Sequence, residues 1–259
     1  IPHSFIMDTR YNTLYQMHLE LKRKNFRIQF DPQFSYTWKR SSYLYEMWCY
    51  FKIIHLLSND YQLNSMDWSE VFSGKILFPF LKVGTCIRFR RDQVELQVVF
   101  DKPLPLENGK TDKKSPLYVA KTHEYSRTHN RPDILLNIYD VKKDWYLGSI
   151  VLECKYRKIY SFWSETNNQR SSLGQLQAYY NNTRSDYLLG GLGKSFNMRP
   201  VKKVIVLTPD VQGDGKSQDD FSILVKGFKP SSTDEWNQAL MNEINDSIKE
   251  LVSNSYKLG

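Results

Sequence analysis

The sequence predicts an α/β protein, a mixed β-sheet covered on both faces by helices. Along the chain the pattern runs helix, strands, helix, strand, strand, helix, and helices interleaved with strands cover both sheet faces. Of the 259 residues, 14% are aromatic and 41% hydrophobic, enough apolar material for a substantial core. No clear linker or repeat divides residues 41–259, so that stretch reads as one domain, with 1–40 as a helical and irregular extension.

Each element follows from its local pattern. "SSYLYEMWCYFKIIHLLSND" starts at Ser41 with a candidate N-cap and carries apolar and aromatic residues up to Asn59 and Asp60, which predicts a largely buried helix. In "TCIRFRRDQVELQVVFD", Cys86, Arg88 and Arg90 alternate with Ile87 and Phe89, and a second run covers Val94 to Phe100. The "RRDQ" break between them predicts an antiparallel pair. "DKPLPLENGKTDKKSP" is rich in proline and charge and reads as a solvated loop. "PDILLNIYD" and "WYLGSIVLECKY" read as strands joined by the turn "VKKD". "LGQLQAYYNN" predicts a helix, "KVIVLTPD" and "FSILVKGF" predict strands around the loop "VQGDGKSQDD", and an amphipathic helix begins near Asp234.

Composition narrows the function classes. Lys plus Arg number 36 against 28 Asp plus Glu, a net charge of +8, which favours a polyanionic partner. Cys49, Cys86 and Cys154 are widely spaced and form no CxxC pair, which argues against a structural zinc site or a disulfide framework and for a reducing, cytoplasmic setting. No apolar run approaches a membrane span, so a membrane is not among the expected partners. The chain opens on Ile1 rather than methionine, which leaves room for a domain upstream.

The chemistry concentrates in "GSIVLECKYRK". In an extended strand alternate side chains share a face, so Glu153 and Lys155 point one way while Leu152 and Cys154 point the other. Asp133 stands in "RPDILL" at the opening of the preceding strand. If the two strands form a hairpin, the start of one meets the end of the other, and Asp133 falls beside Glu153 and Lys155. Carboxylates at that range repel unless a cation such as Mg²⁺ lies between them. The backbone carbonyl of Cys154 offers a further ligand, and Lys155 can hold a phosphate.

"RPD", a spacer and "LECK" resemble the P-D...(D/E)-x-K signature of the PD-(D/E)XK nuclease superfamily. The helix "SSYLYEMWCYFKIIHLL" resembles the YE-x-W helix of McrC-related proteins and puts Glu46 at the auxiliary acidic position. "GQLQAYYNN" is similar to the family's Q-x-x-x-Y helix, with Gln175 and Tyr179 one turn apart on one face. The resemblance covers roughly residues 41–207; at the second carboxylate the chain has Glu153 where McrC-like proteins often have Asp.

The resemblance implies a restriction-endonuclease-like fold and Mg²⁺-dependent hydrolysis of DNA phosphodiesters, with Mn²⁺ able to substitute. On that reading Asp133 and Glu153 are metal ligands, a water activated by the ion is the nucleophile, and Lys155 stabilises charge on the phosphate. Glu46 binds the metal through water or orients Lys155, and Gln175 positions a phosphate or the water. Implied partners are DNA, a separate AAA+ NTPase motor as in McrBC-like defence systems, and a second copy of the chain. The alternatives are a nuclease for RNA or junctions, and a binding or scaffold module of the same fold without catalysis.

Other signals count for less. "GGLGKS" at Gly190 to Ser195 lacks the first P-loop glycine, since Leu188 stands there, and reads as a turn. His123 and His129, with Lys121, Arg127 and Arg131, form a basic loop ahead of Asp133; Arg157 and Lys158 follow the motif, and Tyr179 and Tyr180 read as core packing rather than base stacking.

Overall fold

In the computed structural model the described residues are 41–63, 72–73, 80–120, 130–157, 172–211, 215 and 217–257. They belong to the unit Ser41–Gly259; the unit Ile1–Arg40 lies outside them, as do His123, His129, Lys121, Arg127 and Lys158.

Helix α1 spans Ser41–Asp60 and buries Tyr45, Cys49, Tyr50, Ile53, Ile54 and Leu57, a stripe at helical spacing. Ser41 is already helical rather than the flanking cap the sequence suggests, within the usual play of helix boundaries. The strands are β1 (Gln62–Leu63), β2 (Phe72–Ser73), β3 (Phe80–Leu81), β4 (Cys86–Arg91), β5 (Val94–Phe100), β6 (Tyr118–Val119), β7 (Ile134–Asp140), β8 (Trp145–Cys154), β9 (Thr183–Arg184), β10 (Val201–Thr208) and β11 (Ile223–Gly227). Helix α2 is Ser172–Asn182, the single-turn α3 is Leu192–Ser195, and α4 is Asp234–Lys257.

A 7-stranded sheet runs in the order β1-β4-β5-β7-β8-β10-β11. The strands from β1 to β8 are antiparallel, whereas β8, β10 and β11 are parallel to one another. Antiparallel neighbours need only tight turns, but the parallel β8–β10 pair needs a crossover, and α2 lies within it. Alternation in β4 matches expectation, with Ile87 and Phe89 buried while Cys86 and Arg88 are exposed. The central strands are buried nearly throughout because helices cover both faces, with α1 and α4 touching one another as well as β8.

The β7–β8 hairpin carries one irregularity. Ile138 pairs with Gly148 but Tyr139 pairs with Tyr146, so β8 holds an extra residue at Leu147. Gly148 adopts φ +147°, and a Cβ there would lie 3.1 Å from both the Leu251 side chain and the Pro200 carbonyl. Glycine at the bulge thus lets α4 and the β10 edge close onto the sheet. The bulge brings Tyr146 to the same face as Ser149, and Tyr146 OH lies 2.6 Å from Ser149 Oγ, which donates at 2.6 Å to Asn137 Oδ1.

One loop departs from the sequence reading and another follows it. The segment after β5 is pinned rather than solvated: Leu104 is buried, its N–H donates to the Asn130 carbonyl at 2.7 Å, and the Asp101 N–H donates to the Asp133 carbonyl at 2.7 Å. "GGLGKS" forms a turn as expected, entering α3 through Gly190 and Gly191 in the left-handed region.

Candidate active site

Strand register decides which residues meet. Ile134 pairs with Leu152, so the residue before β7, Asp133, falls level with the end of β8 at Glu153 and Cys154. Asp133 Oδ2 accepts the Cys154 backbone N–H at 2.7 Å. Glu153 and Lys155 share a face as the alternation requires, and Lys155 Nζ lies 2.7 Å from Glu153 Oε1. The Glu153 side chain is 2% exposed and that of Lys155 17%.

Helix α2 supplies the next layer. Lys155 Nζ donates to Gln175 Oε1 at 3.0 Å, Gln175 Nε2 donates to Tyr179 OH at 2.9 Å, and Tyr179 OH donates to the Arg131 carbonyl at 2.8 Å. Residues four apart on one helix face thereby join the end of β8 to the segment that carries Asp133. Both amide atoms of Gln175 are engaged, one of them on Lys155, rather than left open toward a phosphate. Tyr179 is buried as expected, whereas Tyr180 is half-buried with Arg199 over its ring at 4.6 Å, so core packing describes only the first.

Helix α1 brings Glu46 to the same corner, half-buried, near enough for Glu153 and Asp101 to act on its charge. Sequence reading had missed Asp101, whose carboxylate takes Arg131 in a bidentate pair, Nε to Oδ1 and Nη2 to Oδ2, each at 2.5 Å. Arg131 is therefore committed to Asp101. The signal that could have found the pair is position: Asp101 directly follows β5, which neighbours the strand that Asp133 precedes.

The electrostatics are those of crowded acids. Burial pushes the Asp133 carboxyl well above its usual range, and Glu153 and Glu46 push it further against the pull of Lys155 and the Cys154 N–H. Glu46 is pushed up to about 7, first by burial, then by Asp101 and Glu153, with Lys155 and Arg131 opposing. Burial works against the charged form of Lys155, yet Glu153 and Asp133 outweigh it and raise its pKa. Glu153 Oε2 is buried with no hydrogen-bond partner among the described residues; the Tyr179 hydroxyl lies near the Glu153 carboxylate but gives its one proton to the Arg131 carbonyl.

An orphaned buried carboxylate oxygen beside a second carboxylate suits a hard divalent cation, which takes oxygen ligands and fills the rest of its shell with water. Among the described residues no three His, Cys, Asp or Glu side chains gather closely enough to cage an ion alone. A Mg²⁺-type shell completed by water and a backbone carbonyl fits that donor set better than a zinc-type cage. The Cys154 thiol is buried toward Cys49 of α1, away from this face, so only the backbone of Cys154 is available to the site.

A family model described as the PD-(D/E)XK nuclease superfamily matches residues 43–180, more than half of the chain. The chain belongs to the PD-(D/E)XK nuclease superfamily. Its sheet and flanking helices are the restriction-endonuclease-like α/β fold, and superfamily members are typically nucleases that use divalent metals. Searches of curated proteins and of solved structures find no match. Among the described residues no helix is long and apolar enough to cross a membrane.

Proposed function

We propose that this PD-(D/E)XK protein is a Mg²⁺-dependent DNA endonuclease whose site is the corner formed by Asp133, Glu153 and Lys155. The observation that carries the reading is the unpartnered, buried Glu153 Oε2 beside a second desolvated carboxyl, since a structural ion pair would leave neither in that state. Asp133, Glu153 and the Cys154 carbonyl would hold Mg²⁺, with Mn²⁺ as a substitute. Bound there, the ion supplies Lewis-acid neutralisation of phosphate charge and a lowered water pKa.

The chain's own groups do the rest. Lys155, held by Glu153 and Gln175, keeps its proton and places a fixed positive charge where charge develops on the phosphate. Gln175 fixes the Lys155 rotamer, and Tyr179 ties that rotamer to the Arg131 backbone. Glu46, with a pKa near neutrality, is suited to accept a proton from an approaching water or to join the metal shell through water.

The YE-x-W and Q-x-x-x-Y helices support placing the protein with McrC-like nucleases, working with a separate AAA+ motor and cutting both strands as a pair of copies. The net charge of +8 agrees with a DNA partner. The test is incubation of the protein with plasmid and linear DNA in Mg²⁺ or Mn²⁺, alongside Asp133→Ala and Lys155→Ala. Metal-dependent nicks or breaks lost in both variants are expected, with rates down at least about 100-fold, the cost of removing one transition-state charge contact. DNA binding without cleavage by any of the three, with or without a motor partner, would indicate a module that only binds; cleavage of RNA or junctions alone would reassign the substrate.

A further inference from the structure

A second cavity, of about 600 Å³, opens on the same sheet face as Glu153 but at the other end of the strands. Tyr139 lines it six residues along β7 from Asp133, roughly 20 Å at the ~3.3 Å rise of a strand. Its walls combine the strand residues Arg88, Glu95, Gln97, Tyr139 and Tyr146 with Trp145 and with loop residues around Lys113 and Tyr187. Gly190 lets its loop approach the Trp145 indole edge, since a Cβ there would lie 2.6 Å from Nε1.

Most of the charge around this cavity is already spent. Lys113 pairs with Asp144, Asp186 takes Lys194 at 3.2 Å, and Asp140 Oδ1 accepts the N–H groups of Lys142 and Lys143. Lys143 donates to the Ser255 carbonyl at 3.0 Å and sits over the rings of Trp145 and Tyr256. Among the described lining residues Arg88, Lys114 and Lys143 have no carboxylate partner, Arg88 being in hydrogen-bond contact with the Cys86 side chain. Glu95 Oε1 accepts Gln97 Nε2 at 3.0 Å, fixing one acceptor and one amide on the floor. Tyr139 lines the cavity with its ring, its hydroxyl being sealed from solvent and without a hydrogen-bond partner among the described residues.

We propose that this cavity binds a mononucleotide, its planar base against the aromatic side chains and beside the Glu95–Gln97 pair, its phosphate drawn by Arg88 and Lys114. Aromatic walls suit a ring, the fixed donors and acceptors suit base edges, and two cations without a carboxylate partner suit one phosphate. The ligand is a free nucleotide or a base presented by a strand, since both offer the same chemistry.

Calorimetric titration of the full chain with AMP, GMP, CMP and UMP, with the matching nucleosides, and with inorganic phosphate tests this. At least one nucleotide is expected to bind with Kd below about 1 mM. The double variant Arg88→Ala with Lys114→Ala should weaken the nucleotide about tenfold and leave its nucleoside unchanged, as loss of charge-assisted contacts requires. Lys155→Ala should bind as the unaltered protein does, which separates this site from the proposed active site. A short single-stranded oligonucleotide that competes assigns the ligand to a strand, and one that does not assigns it to the free nucleotide. No binding of any nucleotide at 5 mM by folded protein, or binding unaffected by the double variant, would overturn the proposal.

Discussion

Two polar clusters lie on one face of the β7–β8 hairpin, and they follow opposite rules. In the middle of the strands Tyr146, Ser149 and Asn137 form a neutral chain of short hydrogen bonds, all three residues buried. At the end of the same strands Asp133 and Glu153 bring charge into a desolvated corner and leave Glu153 Oε2 without a partner. The first cluster is closed, because its members satisfy one another and specify the bulged register. The second is open: Lys155 pairs with one oxygen of Glu153, yet the carboxyls still destabilise each other in the free protein, a strain that further positive charge would relieve. A buried polar group that is satisfied speaks for structure; one that is not speaks for a ligand.

Substitution sharpens the contrast most. Ser149→Ala should lower stability by about 1–3 kcal/mol, since Asn137 Oδ1 and Tyr146 OH lose a buried partner. Asp133→Asn should leave the metal-free protein at least as stable at pH 8, because the charge it removes is one that burial and Glu153 disfavour. Its amide oxygen can still accept the Cys154 N–H. Denaturant unfolding of the two variants checks the opposite signs; equal losses would erase the distinction between the clusters.

A smaller effect is expected in pH dependence. Glu46 rises from 4.5 to about 7 on folding, so between those values the folded state holds more protons than the unfolded chain. Stability of the metal-free protein should therefore fall as pH rises through that window, and the raised Asp133 carboxyl acts in the same sense. Mg²⁺ should flatten the slope, and Glu46→Gln should remove the part due to Glu46. Stability rising from pH 4.5 to 7 in metal-free protein would contradict the crowding of these acids.

Much of this was legible in the sequence. The strand alternation placed Glu153 and Lys155 on one face, and the hairpin brought Asp133 to them, because both inferences need only local geometry. Helix periodicity set Gln175 above Tyr179 for the same reason. What the sequence concealed depends on distant parts of the chain. Asp101 and Arg131 are thirty residues apart and meet because β5 pairs with β7; a proline-rich flank made Asp101 look solvated. The commitment of Gln175 to Lys155 depends on how α2 sits on β10 and β8, which no spacing rule conveys. The bulge at Leu147 and Gly148 breaks the alternation on which strand faces are read, so the Tyr146–Ser149 contact was invisible.

Asp133 and Glu153 are proposed as an open divalent-cation site. Calorimetric titration of the protein with Mg²⁺ and Mn²⁺, beside Glu153→Gln, tests it without requiring a substrate or a motor partner. Saturable binding is expected in the unaltered protein, weakened at least about tenfold by Glu153→Gln, since the orphaned oxygen is then no longer anionic. Absence of binding in the folded, unaltered protein, or equal binding in the variant, would contradict it.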